Sequence, residues 1–390
     1  MFERQIEDKL LKSLDKIQYG SIALTTPDGT VRGFEGPLRG PAVDLTVTDW
    51  RAFPLVAARG DIGLTEAYRD GWITTRDLSA FLTFGLHNEA AVEPFLYGSR
   101  LQSLLVRALY FMTRNTRRGS LRNISAHYDL GNEFYRLWLD DTMTYSSALF
   151  APEDARAPDP LVAAQHRKYD RILDGLGGGS GRLLEIGCGW GGFAERALTR
   201  GDFAAKGLTL SHEQAAFARA RLGQGAEIAL QDYRDERGRF DHIVSIEMFE
   251  AVGEQYWPVY FDKLREVMAQ KGRAMVQTIT VAGSYFDRYR AGGDMIRSFI
   301  FPGGMLPSPG RFGAEAARAG LRIEDAHGFG ADYARTLRDW LTRFEARLAE
   351  IRALGFDEAF IRVWRFYLAA CIAAFDTGRT DVYQYRLAHA

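Results

Sequence analysis

Cysteine is nearly missing from this sequence of 390 residues, which holds two, Cys188 and Cys371. Two cysteines cannot build a disulfide framework, and no Cys-x-x-Cys or Cys/His spacing suited to zinc occurs. That scarcity points to a reducing compartment such as the cytoplasm. Charge of one sign is also lacking: 49 Lys and Arg stand against 50 Asp and Glu, for a formal net charge of −1. A basic body made for nucleic acid is thereby excluded as a global property. No apolar run approaches the roughly 18 residues of a membrane span. The N-terminal MFERQIEDKLLKSLDKI has no apolar core of a signal peptide. Repeats and low-complexity tracts are absent. Aromatic residues are plentiful, with 25 Phe, 17 Tyr and 7 Trp, a supply that suits an apolar substrate or a cationic intermediate. With 46% hydrophobic and 25% charged residues, the chain reads as globular, and its length suits two or three domains.

Residues 4–17 carry Ile6, Leu10, Leu11 and Leu14 at helical spacing. Short alternating stretches follow, broken by the turn Pro27-Asp28-Gly29, and 51–95 reads as helical again. This predicts a small α+β domain over 1–98. Residues 99–122 read as a basic amphipathic linker helix, with Arg100, Arg107, Arg114, Arg117, Arg118 and Arg122 and no acid from 100 to 122. Such a helix either lies on an anionic membrane or pairs its arginines with acids elsewhere. From 123 to 390 the pattern becomes strand–helix alternation. RLLEIGCGW, AAKGLTL, AEIALQD, RFDHIVSIEMF and GRAMVQTIT read as strands with helices between them, which argues for a doubly wound parallel sheet. The stretch 290–370 looks mostly helical and interrupts that rhythm as an insertion or lid.

The sharpest local motif is Leu184-Glu185-Ile186-Gly187-Cys188-Gly189-Trp190-Gly191-Gly192, at a strand end leading into a helix. Glycines there let a ligand approach the backbone at the carboxyl edge of a parallel sheet. It is not the dinucleotide fingerprint, and no GK[ST] follows. Two further polar turns end the next strands, Gly207-Leu208-Thr209-Leu210-Ser211 and Gln231-Asp232-Tyr233. Three polar turns at successive strand ends favour a nucleoside-type ligand, with Glu185 of the type that meets the amino-acid part of S-adenosylmethionine.

Taken together with ISAHYDLGNEFYRLWLDDTMTYSSALF (124–150), IVSIEMFEAVG (243–253), FIFPGGMLPS (299–308), GADYARTLRDW (330–340) and FIRVWRFYLAACIAAF (360–375), these motifs resemble the cyclopropane-fatty-acid synthase family of S-adenosylmethionine-dependent methyltransferases. The resemblance runs in order over about 121–380. It implies a class I methyltransferase (Rossmann-like) domain with an acyl pocket built from inserted helices. It also implies methyl transfer to a cis double bond of an acyl chain in a membrane phospholipid, through a carbocation and a deprotonation. Carried over by motif, the cofactor site takes Tyr145, Ser146, Glu185, Gly187, Gly189, Thr209, Leu210, Gln214, Gln231, Asp232 and Tyr233. No metal is needed, since the methyl is already activated. The acyl pocket takes Ile279, Phe299, Phe301, Trp340 and Tyr367. A homodimer and peripheral contact with the inner face of the cell membrane through the basic helix are also implied.

In that family a bicarbonate ion takes the proton, and its ligand positions match Ser147, Glu250, Gln277, Ile279 and Tyr333. Two of these depart from the common pattern, with Ser147 in place of cysteine and Gln277 in place of histidine. Nearby, Ala251 replaces the histidine of MFEHVG, and Glu247 stands where glycine is common. Serine and glutamine still offer hydrogen bonds. Two expectations therefore stand side by side. Bicarbonate is kept and the product is a cyclopropane; or Glu247 or Glu250 replaces the ion and a methyl-branched unsaturated or methylene chain results. For Glu247 a supporting place, orienting Gln277 or a backbone amide, is the plainer reading. A small-molecule C-methyltransferase and an inactive lipid-binding paralogue are more distant alternatives; the intact cofactor motifs speak against the second.

Overall fold

The computed structural model describes residues 2–96 and 130–390, so the stretch 99–122 falls outside the described residues. The described residues form two compact units. Asp287–Ile300 and Leu348–Arg379 cluster with the N-terminal residues, while the rest of the chain beyond 130 makes up the second unit. Part of the stretch read as an insertion thus belongs to each unit.

In the first unit, helix Phe2–Leu14 buries Leu10 and Leu14. Strands β1 (Tyr19–Thr25), β2 (Val31–Glu35), β3 (Leu38–Val47) and β4 (Ile73–Thr74) form a sheet in the order β2-β1-β3-β4. The β1–β2 turn is tied by Asp28, which accepts the Thr26 hydroxyl at 2.7 Å and the Thr30 N–H at 3.1 Å. The register of β1 on β3 slips at Gly20, whose φ is +70° and where a Cβ would stand 2.1 Å from the Pro41 carbonyl oxygen. Only glycine permits that approach. Helices Ala52–Arg69, Leu78–His87 and Glu358–Asp376 pack together, and Arg362 donates to the Tyr68 carbonyl at 2.5 Å.

The second unit is built on β5 (Ser180–Ile186), β6 (Asp202–Thr209), β7 (Ala226–Leu230), β8 (Phe240–Ile246), β9 (Met268–Val281), β10 (Leu321–Gly328) and β11 (Thr380–His389), in the order β10-β11-β9-β8-β5-β6-β7. The five strands β5 to β9 run parallel, as their separation by helices predicts. β10 and β11 are the exceptions, unforeseen and antiparallel. β10 is dotted with charges that find partners only in three dimensions: Glu324 pairs with Arg273 at 3.0 Å and with Arg322 at 2.7 Å. Those charges hide its alternation. The carboxyl ends of the parallel strands share one edge, where glycine and polar turns accumulate.

Helix Pro160–Leu176 braces this edge from behind. Asp159 caps it by accepting the Leu161 N–H at 2.9 Å, and binds Arg343 at 2.7 Å. Asp159→Ala removes both interactions, so thermal unfolding followed by circular dichroism is expected to show a Tm lower by roughly 3–6 °C. An unchanged Tm would contradict this account of the cap.

Candidate active site

One cavity at the carboxyl edge of β5 to β8 collects Tyr145, Ser146, Glu185, Gly187, Thr209, Leu210, Gln214, Gln231, Asp232 and Tyr233. Gly189 does not line it, although its neighbours Cys188 and Trp190 do. Gly187 has φ +83°, and a Cβ there would meet the Met248 side chain at 2.9 Å, so glycine holds the loop open to a ligand. Thr209 donates to the Gln214 side-chain oxygen at 2.9 Å, which leaves the amide nitrogen as the remaining donor. Ser211 caps helix His212–Leu222 by accepting the Gln214 N–H at 3.2 Å. Asp232 is held by the Arg234 guanidinium at 2.8 Å.

Glu185, near the end of β5, is buried, and its Oε2 has no hydrogen-bond partner among the described residues. Burial pushes its pKa well up, against the pull of Lys168 and Arg221. A buried carboxyl oxygen aimed into a glycine-lined cavity fits a ligand that brings its own donors or positive charge. The sequence reading missed Met143, Thr144, Tyr169, Arg234, Met248 and Val252, which line the same cavity, as does Ala251, singled out above as a departure. Ala251 thereby gains a structural place, since a larger residue there would take space from the cavity.

The second group converges on Glu247, at the end of β8. Its carboxylate accepts the Ser147 N–H at 2.8 Å, the Gln277 side-chain amide at 2.7 Å and the Tyr333 hydroxyl at 2.5 Å. Ser147 acts through its backbone, because its hydroxyl turns to the Ala148 carbonyl at 3.0 Å. Gln277 is oriented in turn by Gln384 of β11, which donates to its side-chain oxygen at 2.9 Å. Glu247 has φ +50°; it and Met143 are the non-glycine residues of positive φ among the described residues, and both line the cavity. The backbone keeps the conformation that glycine favours while carrying a long acidic side chain, a strain of about 1–3 kcal/mol. Burial raises the Glu247 pKa, and Tyr333, Lys168, Ser147 and Gln277 oppose the rise.

Glu250 lies one 3₁₀ turn further on. It accepts the Ile279 N–H at 2.5 Å and the Thr278 hydroxyl at 3.0 Å, while its Oε2 has no partner among the described residues. Burial and then the charge of Glu247 push Glu250 up to about 8. Ile279 therefore contributes through its backbone. Trp340 is fully buried, 5.3 Å from the ring of Tyr145 and 5.7 Å from that of Trp138, an aromatic wall behind the cavity. Phe301 is half-buried in the turn whose Met305 N–H donates to the Glu250 carbonyl at 2.9 Å. Phe299 and Tyr367 belong to the first unit, where Tyr367 packs on Trp364 at 5.4 Å.

A family model described as mycolic acid cyclopropane synthetase matches residues 115–385. The tuberculostearic acid methyltransferase of Mycobacterium tuberculosis is 38% identical over 388 residues, covering 94% of this chain and 87% of its own length. The cyclopropane-fatty-acyl-phospholipid synthase of Escherichia coli is 36% identical over 347 residues, covering 87% of this chain and 86% of its own. A crystal structure of a mycolic acid cyclopropane synthase complexed with SAH and CTAB aligns with a TM-score of 0.63 at 31% identity, over 68% of this chain and 97% of that one.

Gly187→Ala places a methyl group against Met248 in a left-handed backbone. Titration calorimetry with S-adenosylhomocysteine is expected to show at least a ten-fold weaker Kd. A wild-type Kd would show that the loop does not need its glycine.

Proposed function

The chain belongs to the mycolic acid cyclopropane synthetase family and is an S-adenosylmethionine-dependent methyltransferase of class I fold; we propose that it methylates a cis double bond in an acyl chain of a membrane phospholipid, that Glu247 accepts the departing proton, and that the product is a methyl-branched unsaturated chain. The observation that carries this reading is the Glu247 carboxylate drawing hydrogen bonds from Ser147, Gln277 and Tyr333. Those are three of the five positions that the family resemblance allots to a bicarbonate ion. As they stand they do not fit the ion, because each already serves a carboxylate of the chain itself.

Glu185, Gln214 and the Gln231–Tyr233 turn are suited to hold the cofactor through its polar ends. When bound, S-adenosylmethionine supplies an activated methyl to the alkene, which leaves a positive charge on the adjoining chain carbon. Tyr145 lines the cavity with Trp340 packed behind it, an aromatic surface suited to stabilise that charge. Glu247 takes a proton from the next chain carbon, and the electrons of that C–H bond become the new double bond. Glu250, uncharged at neutral pH, does not compete for the proton. A tethered carboxylate takes the proton that it faces, whereas a free ion can follow the incoming methyl. The Mycobacterium relative, whose name is that of a tuberculostearic acid methyltransferase, matches 94% of the chain.

A second reading keeps Glu247 as base but has it remove a proton from the new methyl, closing a cyclopropane. Its support is that Glu247 lines the cofactor cavity itself. Contact with the inner membrane face through 99–122 rests on the arginines of that stretch, and a homodimer on the family resemblance. No helix among the described residues is long and apolar enough to cross a membrane.

Expression in a bacterium lacking cyclopropane synthase, with labelled methionine and hydrogenation before mass spectrometry, tells branch from ring. A labelled branch with a retained double bond supports the proposal, and a labelled ring selects the second reading. Glu247→Gln is expected to lower turnover at least 100-fold. Glu247→Gly relaxes the backbone and frees the three donors, so added bicarbonate is expected to restore part of its activity. Full activity in Glu247→Gln would remove Glu247 from the reaction. Because the base must be ionised and its pKa is raised, the rate is expected to fall on the acid side at a pH above the usual carboxylate range.

A further inference from the structure

We infer that Lys168 is a positioning residue of this reaction: from behind Ser146 it fixes the turn that presents the Ser147 N–H to Glu247, and its positive charge keeps Glu247 ionised. This rests on the reading of Glu247 as the proton acceptor.

Lys168 lies on helix Pro160–Leu176 and is fully buried. Its Nζ donates to the Ser146 hydroxyl at 2.6 Å and sits 4.3 Å from the centre of the Tyr169 ring. Gln165, on the same helix face, donates to the Ser146 carbonyl at 3.0 Å. Both polar ends of Ser146 are therefore gripped by one helix, and the next N–H in the chain meets Glu247 at 2.8 Å. A buried ammonium needs opposing charge. The acids that face it are Glu247, Asp140 and Glu185, each from a different segment, and they act against the burial that lowers Lys168 to about 7. Around Glu247 itself stand the Tyr333 hydroxyl, the amide of Gln277, the carboxyl of Glu250 and Lys168. Lys168 is the cation among them. Arg171 is one step further out, donating to Gln384 at 2.9 Å. A lysine that only filled space would leave the ionisation of Glu247 untouched.

The test uses the full chain, vesicles of a monounsaturated phosphatidylglycerol and labelled S-adenosylmethionine. Lys168→Met keeps length and removes charge. It is expected to bind S-adenosylhomocysteine, to lose at least ten-fold in kcat at pH 7, and to move the acid limb of the kcat–pH profile up by about one unit. A folded, ligand-binding Lys168→Met with the limb of the wild type overturns the inference. If Glu247→Gln stays active, the reading of Glu247 fails and this inference with it. If Glu247→Gln is inactive and Lys168→Met leaves the limb in place, the role of Lys168 alone fails. Should Lys168→Met not fold, Ser146→Ala releases the grip without removing the charge. It is expected to lower kcat at least five-fold with the limb unmoved, and a wild-type kcat overturns the inference.

Discussion

A carboxylate buried beside a cofactor cavity is the constraint around which the second unit is arranged. An unpaired buried charge is expensive, and Glu247 escapes that penalty through donors that arrive from three separate places in the chain. Ser147 comes from the loop before helix Pro160–Leu176, Gln277 from β9, and Tyr333 from helix Gly330–Ala346. Each donor is itself held: Ser147 by the grip on Ser146, Gln277 by Gln384, and Tyr333 by packing on Trp340 at 6.1 Å. The hydrogen bonds also offset the left-handed backbone of Glu247.

Two carboxyl groups three positions apart sit in different surroundings. Glu247 receives three donors and a nearby cation, whereas Glu250 has one bonded oxygen and a like charge beside it. Environments that push two acids apart are how one site keeps an ionised and a neutral carboxyl at the same pH. The difference between the two groups comes from their surroundings, since glutamate alone does not specify it.

Much of this was legible in the sequence. The parallel strands announce themselves as apolar runs between helical patterns. The cofactor edge is marked by glycines and polar turns that lie next to each other in space because their strands do. Glu247 was legible as a departure, an acid in a place where glycine is common, but its partners were not. Ser147, Gln277 and Tyr333 are far apart in the chain, and the first contributes its backbone, which no residue type reveals. Lys168 sits in a helix of ordinary amphipathic pattern, where a lysine reads as solvent-facing. β10 and β11 were hidden because their charges and tyrosines find partners across the sheet, out of reach of any local period.

The place of β11 governs how the protein comes into being. It enters the sheet between β9 and β10, and it follows both in the chain. The sheet cannot therefore be assembled in the order in which it is synthesised: β10 has no neighbour to pair with until β11 has emerged. Gln384, which orients Gln277, lies on that strand. Pairings between positions so distant in sequence close late in folding. A nascent chain that already displays its glycine loop thus still lacks the strand that orients Gln277 toward Glu247.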